Sequence, residues 1–276
     1  MGKVLNSQPF LEKILNRLKR KRKAFGKISL ASFKISEDGS ADIYIRSQEK
    51  IAQKLSIDYK VFEFKRNQFS SALEVLDKLN RDRFTKGIII HKPLPKNWDE
   101  FKLFSSILPS KDVEGLNPSN LGRILLKKEE ILPPTVRSIL EVIKISKISL
   151  YGKNVTLVGF SSHIGKPLSI ILADKFATVI ITHIGTYQAK RLVSYIRGAD
   201  LLISCVGKPR FIKGAWIKKG AVVIDVGISY WKGRLCGDIE FEEAKKKASF
   251  ITPVPRGVGS FTSLFLFDNL LKLAER

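Results

Sequence analysis

Apolar positions along this chain change period repeatedly, and each change marks a candidate element. Phe10, Ile14 and Leu18 recur at helical spacing inside a helix predicted from Leu5 to Arg22. From Lys27 to Ile35 the pattern switches to alternation, ISLASFKI, which predicts a strand with one buried face. After a turn at residues 37–40, Ile43, Ser47, Ile51 and Leu55 fall on one face of a second helix, which places Tyr44 near its start. Tyr59 to Phe64 reads as a strand, Ser70 to Asn80 as a helix, and Gly87 to Ile90 as a short apolar strand that breaks at HKPLP. A helix from Trp98 to Leu108 follows, then a polar, turn-rich loop from Ser110 to Arg123. The proline pair in ILPPT marks a linker and opens a helix at about Thr135.

The alternation then starts again. Asn154 to Val158 is β-rich, and beyond Gly159 the residues Ile164, Leu168, Ile171 and Leu172 take up helical spacing. Strands are expected at Ala177 to Thr182, Leu201 to Cys205 and Ala221 to Val226, with a helix from Thr186 to Ile196. A rigid ITPVPRGVG turn precedes an apolar helix from Phe261 to Leu273, expected to return to the first domain. Strands separated by helices predict α/β architecture with a parallel sheet, in two domains: 1–134 with 260–276, and 135–259.

The strand, turn and helix around Gly159 carry the first chemical signal. Gly159 permits a sharp turn, Ser161 and Ser162 can cap the helix, and Gly165 permits close packing of helix on strand. Such a turn can receive a nucleotide phosphate. Its spacing, Gly-x-Ser-x-x-x-Gly, differs from the common dinucleotide fingerprint and also fits a plain crossover.

Composition narrows the partners. With 276 residues and 44% hydrophobic content the chain can build two cores, and it holds no apolar run of the roughly 20 residues that a membrane helix needs. The charged N-terminal stretch lacks a signal-peptide core, so a cytoplasmic protein is expected. Cys205 and Cys236 have neither metal-ligand spacing nor a neighbouring histidine, and read as reduced, small hydrophobes, with no metal site. The net charge of +23 includes seven cations in the eleven positions from Arg17 to Lys27. It reads either as a solvated surface or as attraction to a polyanion, nucleic acid or a substrate with several carboxylates. No nucleic-acid-binding motif accompanies the charge, which argues against nucleic acid.

Seven stretches, in order, resemble the methylenetetrahydrofolate dehydrogenase/cyclohydrolase family of one-carbon metabolism: DIYIRSQEK, HKPLP, KDVEGLNPSNLG, VGFSSHIGKP, ADLLISCVGKPRFI, GAVVIDVGIS and ITPVPRGVGSFT. The resemblance implies an N-terminal α/β catalytic domain and a Rossmann-like NAD(P)-binding domain, usually in a homodimer, with a tetrahydrofolate derivative in the cleft between the domains. It implies that Tyr44 stacks on the pterin, that Glu114 stands at the folate aspartate, and that Pro93, Leu94, Pro95, Pro253, Gly257 and Gly259 help form the substrate walls. Cofactor contacts implied in the same way are Gly159, Phe160, Ser161, Ile164, Gly165, His183, Ile184, Val206, Gly207, Lys208, Gly227 and Ile228, for NADP or NAD.

Six positions depart from the family pattern. The family's Tyr-x-x-x-Lys, counted from Tyr44, lands on Gln48, and the supporting glutamine falls on His91. Glu114 replaces an aspartate, keeping its charge, and Arg256 replaces a glycine. Glutamine cannot carry a proton, so dehydrogenase activity is expected to survive while cyclohydrolase activity is lost or much reduced. His91, with an ordinary pKa near 6.5, is the replacement base to consider. Phe160 and Ile184 stand where the family's partners for the NADP 2′-phosphate are expected, leaving Lys166 and Lys190 as substitutes. The alternative is a non-catalytic paralogue that binds folate or nucleotide, or serves as a scaffold. The positive surface would favour folates with polyglutamate tails.

Overall fold

The computed structural model describes residues 2–35 and 41–275, so the turn expected at 37–40 lies outside the described residues. The chain forms two compact units, Met1–Pro9 with Thr135–Thr262, and Phe10–Pro134 with Ser263–Arg276. The expected division placed residues 1–9 with the second of these. They group with the first because β1 (Lys3–Val4) pairs in parallel with Phe250 and Ile251. The helix predicted from Leu5 therefore begins later, as α1 (Gln8–Arg22), with Ile14 and Leu18 buried.

The unit that starts with Phe10 is built on β2 (Ser29–Lys34). Next come α2 (Asp42–Lys54), β3 (Asp58–Glu63), α3 (Phe69–Arg81) and β4 (Thr85–Ile90). β2 lies between β3 and β4 in a three-stranded parallel sheet. Phe33, Leu76, Ile88, Ile90 and Leu103 form its core. α2 is rotated from the expected face: Ala41, Ile45, Gln48, Ala52 and Leu55 are buried, while Ile43 is exposed. That rotation turns Gln48 inward. The helix expected over Trp98 to Leu108 is only α4 (Glu100–Ser105), started by Asp99, whose side chain accepts from the Lys102 N–H. The stretch expected as a loop to Arg123 contains α5 (Pro118–Leu125), because Asn117 caps its first turn and Pro118 suits the first helical position.

α6 (Pro134–Ser146) leads into the larger sheet. Its elements are β5 (Asn154–Val158), α7 (Gly165–Asp174), β6 (Thr178–Thr182), α8 (Ile184–Gln188), α9 (Leu192–Gly198), β7 (Leu201–Ser204) and β8 (Val222–Asp225). The single helix expected from Thr186 to Ile196 is thus two, separated where Lys190 takes φ +57°. An antiparallel hairpin of β9 (Ser229–Trp231) and β10 (Arg234–Cys236) follows, then α10 (Phe241–Lys247) and β11 (Phe250–Ile251). The six-stranded sheet has the order β1-β11-β8-β7-β5-β6, and every pairing is parallel. β5 has β6 on one side and β7 on the other, so strand order reverses beside it, the position at which open α/β sheets take ligands. α11 (Gly259–Ala274) closes the chain. From Ser263 onward it belongs with the β2 unit, where Asp268 pairs with Arg17.

Candidate functional site

The β2 unit gathers Gln48, Tyr59, Ser32 and His91 into one polar cluster. Gln48 and His91 are only 4% and 7% exposed, which an apolar sheet tolerates because each has a hydrogen-bond partner. The Tyr59 hydroxyl donates to Gln48 Oε1 at 2.7 Å, and Ser32 Oγ lies 2.9 Å from His91 Nε2. Burial raises the pKa of the Tyr59 phenol, against a weaker opposing influence of nearby Ser32. Burial pushes His91 down to about 4, against a weaker opposing pull from Asp42. The expected replacement base is therefore neutral at pH 7 and weakly basic.

Tyr44, one turn before Gln48 on α2, remains 37% exposed. Glu114 departs from expectation. Burial, reinforced by neighbouring Asp112, pushes it up to about 8, so at neutral pH its carboxyl is mostly protonated rather than charged. Its Oε2 accepts from the Ile90 N–H at 3.3 Å. Asp112 anchors the loop beneath it, accepting from the Asn117 N–H and Asn120 Nδ2, both at 2.8 Å. Pro93 and Pro95 follow directly on β4 and His91, and Leu94 packs on the core. Ser32 and Tyr59 were not singled out from sequence. Both lie in alternating strands, where a polar residue reads as the solvent face.

In the other unit, Gly159 ends β5 with φ +113°, and a Cβ there would stand 2.7 Å from the Cys205 carbonyl oxygen. Gly165 lies so close to the Gly159 and Phe160 backbone that any side chain would collide with it. The glycine roles match expectation, but the polar contacts differ. Ser161 Oγ accepts from the Ile164 N–H, one residue before α7, and the Gly159 N–H donates to Thr182. Lys166 Nζ sits 5.6 Å from the exposed Phe160 ring, which puts a cation at the turn. His183 caps α8, its Nδ1 accepting from the Gly185 N–H, and Ile184 is exposed beside it.

The loops after β7 and β8 rest on two buried carboxylates, Asp225 and Asp238, which were also missed. Asp238 accepts from Ser204 Oγ and from the Val206 and Lys208 N–H groups at 2.7 to 2.9 Å. Asp225 accepts from the N–H groups of Gly227, Asp238 and Ile239. The backbone donors of Val206, Lys208 and Gly227 are thus committed internally, and a ligand meets these residues through other atoms. Their signal in the sequence was an acid at the end of an apolar strand, VVID, and another in GDIE. Asp225 is pushed up to about 7 by burial and by Asp238, and the Cys205 thiol up to about 12 by burial. In the 253–259 turn, Gly257 packs on the Pro253 carbonyl, Gly259 opens α11, and Ile228 reaches toward Gly259. Arg256 holds φ +72°, the left-handed backbone that glycine adopts without strain. Among the described residues no group of three or more histidines, cysteines or carboxylates could hold a metal ion, and no helix is long and apolar enough to cross a membrane.

Comparison with known proteins places this geometry. Residues 5–114 match the family model for the tetrahydrofolate dehydrogenase/cyclohydrolase catalytic domain, and residues 133–276 match its NAD(P)-binding domain. The bifunctional protein FolD of Bacillus subtilis is 40% identical over 249 residues, covering 90% of this chain and 87% of that protein. The crystal structure of the Campylobacter jejuni bifunctional enzyme FolD, a methylenetetrahydrofolate dehydrogenase/cyclohydrolase, superposes with a TM-score of 0.93 at 34% identity. That match covers 100% of this chain and 99% of the other. A Trypanosoma brucei methylenetetrahydrofolate dehydrogenase-cyclohydrolase, solved with NADP and an inhibitor, gives 0.93 at 29% identity, over 100% and 98% of the two chains. Both halves of the chain, in order and over nearly its full length, follow one pattern: the protein belongs to the tetrahydrofolate dehydrogenase/cyclohydrolase family.

Proposed function

We propose that this protein oxidises 5,10-methylenetetrahydrofolate to 5,10-methenyltetrahydrofolate with NADP or NAD as oxidant, and hydrolyses the methenyl product poorly or not at all. The observation that carries the second half is Gln48, buried at the position of the family lysine and bonded to Tyr59. Adding water to the methenyl carbon and opening the ring both require proton transfer. An amide neither gives nor takes a proton, His91 is neutral with a pKa of about 4, and burial strengthens the hold of Tyr59 on its own.

Removal of a hydride makes no such demand. It needs the methylene carbon oriented and an acceptor beside it. Tyr44 offers the pterin a ring face, and Glu114 offers its nitrogens a carboxyl that both donates and accepts while protonated. The residues of the β5 unit fit a dinucleotide: a reversal of strand order, and a turn whose glycines leave no room for a Cβ. Bound there, a nicotinamide supplies the two-electron acceptor. Gly159, Ser161 and Gly165 would hold the nucleotide at the turn, with the Val206 to Lys208 and Gly227–Ile228 loops beside it. Lys166 is the cation placed to meet a 2′-phosphate, which supports NADP, as does the NADP complex of the trypanosomal relative.

The test follows absorbance at 340 nm with methylenetetrahydrofolate and each nucleotide in turn, and then the decay of the methenyl product. Nucleotide reduction with accumulating methenyltetrahydrofolate is expected. Efficient hydrolysis, unaffected by His91→Ala, would overturn the cyclohydrolase half. Folate binding without reduction of either nucleotide would favour a binding-only paralogue.

A further inference from the structure

We propose that Asp238 is a positioning residue for the nucleotide: its carboxyl group ties down both neighbours of Gly207, so that the Gly207 N–H is the backbone donor that the turn after β7 offers to an acceptor oxygen of the cofactor. The proposal deepens the reading of the β5 unit as a dinucleotide site and rests on it.

The turn stands at the edge of the sheet where that site lies. Val158, Ser204 and Asp225 are the last residues of β5, β7 and β8 and lie in register, so the segments that follow them leave the sheet side by side. The Cys205 carbonyl is the neighbour that leaves Gly159 no room for a Cβ, which puts the 204–208 turn against the glycine turn. Three donors of the 204–208 turn converge on Asp238, which is fully buried. Oδ2 accepts from Ser204 Oγ at 2.8 Å and from the Val206 N–H at 2.7 Å, and Oδ1 accepts from the Lys208 N–H at 2.9 Å. Asp238 is itself held. Its N–H donates to Asp225 Oδ1 at 3.0 Å, and the N–H of Ile239 donates to Asp225 Oδ2 at 2.9 Å. Gly227 and Gly237 permit this packing, since a Cβ on either would run into the carboxyl of Asp238 or Asp225 respectively. The shape of the turn is therefore set from β8 through two buried carboxyl groups.

What remains for a ligand is the N–H between the two that are tied. Among the described residues the Gly207 N–H has no acceptor, and Gly207 is exposed, with open space where a Cβ would stand. Its φ of +70° is left-handed backbone that glycine adopts without strain. Its carbonyl accepts from Ser229 Oγ at 3.1 Å, which steadies the turn from the other side. A donor fixed in this way loses little conformational freedom when an acceptor binds. An amide cannot take over from the carboxyl. Asparagine has one acceptor oxygen, and the Val206 and Lys208 N–H groups meet different oxygens of Asp238, so Asp238→Asn turns its NH₂ group toward one of them and donor faces donor.

Amide hydrogen exchange on ¹⁵N-labelled protein reads the three N–H groups separately. In the free protein Val206 and Lys208 should exchange slowly and Gly207 fast; saturating NADP, or NAD in a second sample, should slow Gly207 and shift its proton downfield. In Asp238→Asn the Val206 or Lys208 N–H should exchange faster, and KM for the nucleotide should rise about five-fold, the effect of one lost hydrogen bond, with KM for the folate unchanged. Bound nucleotide with an unprotected Gly207 overturns the proposal. So does a folded Asp238→Asn whose KM for the nucleotide matches the wild type, because a carboxyl that only supports the fold would lower the unfolding midpoint and leave KM alone. The exchange measurement uses the wild-type protein and decides by itself if the variant does not fold. Nucleotide that binds and protects Gly207 but is never reduced would overturn the proposed oxidation and leave this result standing, whereas a protein that binds neither NADP nor NAD overturns both.

Discussion

Glu114 and Asp225 hold protons in the folded chain that the unfolded chain releases. Their carboxyls rise from 4.5 to about 8 and from 3.8 to about 7, largely through burial. A folded pKa above the unfolded one means that the native state binds more protons between the two values, so stability falls as pH rises through that window. His91 acts in the opposite sense. Lowered from 6.5 to about 4, it removes stability as pH falls below its unfolded value. Above pH 6.5 the carboxyls act alone, and urea midpoints should decline from pH 6.5 to 8 in the wild type and flatten in Glu114→Gln. Parallel curves for the two proteins would show that Glu114 is already ionised. Gln48, His91 and Glu114 could be found from motif register, because each replaces a known residue at fixed spacing. What that register cannot give is protonation: Glu114 keeps a carboxyl and loses the charge, because Asp112 and the buried floor beneath it come from folding.

Asn269 shows the same limit for an element. It is fully buried on α11 and donates through Nδ2 to the carbonyls of Val113 and Leu132, at 2.9 and 2.8 Å. Asn269→Ala leaves two buried carbonyls short of a donor and should cost about 2–4 kcal/mol. Urea unfolding checks this, and a loss below about 1 kcal/mol would mean that water replaces the amide. The sequence predicted this helix as apolar and did not single out Asn269, whose partners lie 137 and 156 residues away. Strands such as β2 and β5 were legible because neighbours on both sides bury nearly all of their length. β1 and β11, of two residues each, were not, since two residues carry no period. The face of α2 was misplaced for a chemical reason. Its buried stripe contains Gln48 and two alanines, which a search for large apolar residues passes over, while Ile43 on the opposite side is exposed.

At the scale of the whole molecule 49 lysines and arginines face 26 acids, an excess of 23 positive charges. Pairs such as Arg81 with Asp77 are exposed and add little to stability, so the excess acts mainly as a field around the protein. A folate with a polyglutamate tail carries several carboxylates into that field, and a monoglutamate few. Screening shortens the field from about 10 Å at 0.1 M salt to about 3 Å at 1 M, so KM for the long-tailed substrate should rise with salt more steeply than KM for the short one. Equal slopes would mean that the charge is a solvated surface and selects nothing. A second comparison locates the attraction. Arg20 and Lys23 are exposed at the basic end of α1, and replacing both with glutamine removes two charges out of an excess of 23. If the field of the whole surface draws the tail, the salt slope will barely change. If the Arg17 to Lys27 run holds the tail directly, the slope for the long-tailed substrate should fall by about two units while that for the monoglutamate stays put, because a direct contact loses its own counterions and a distant charge does not.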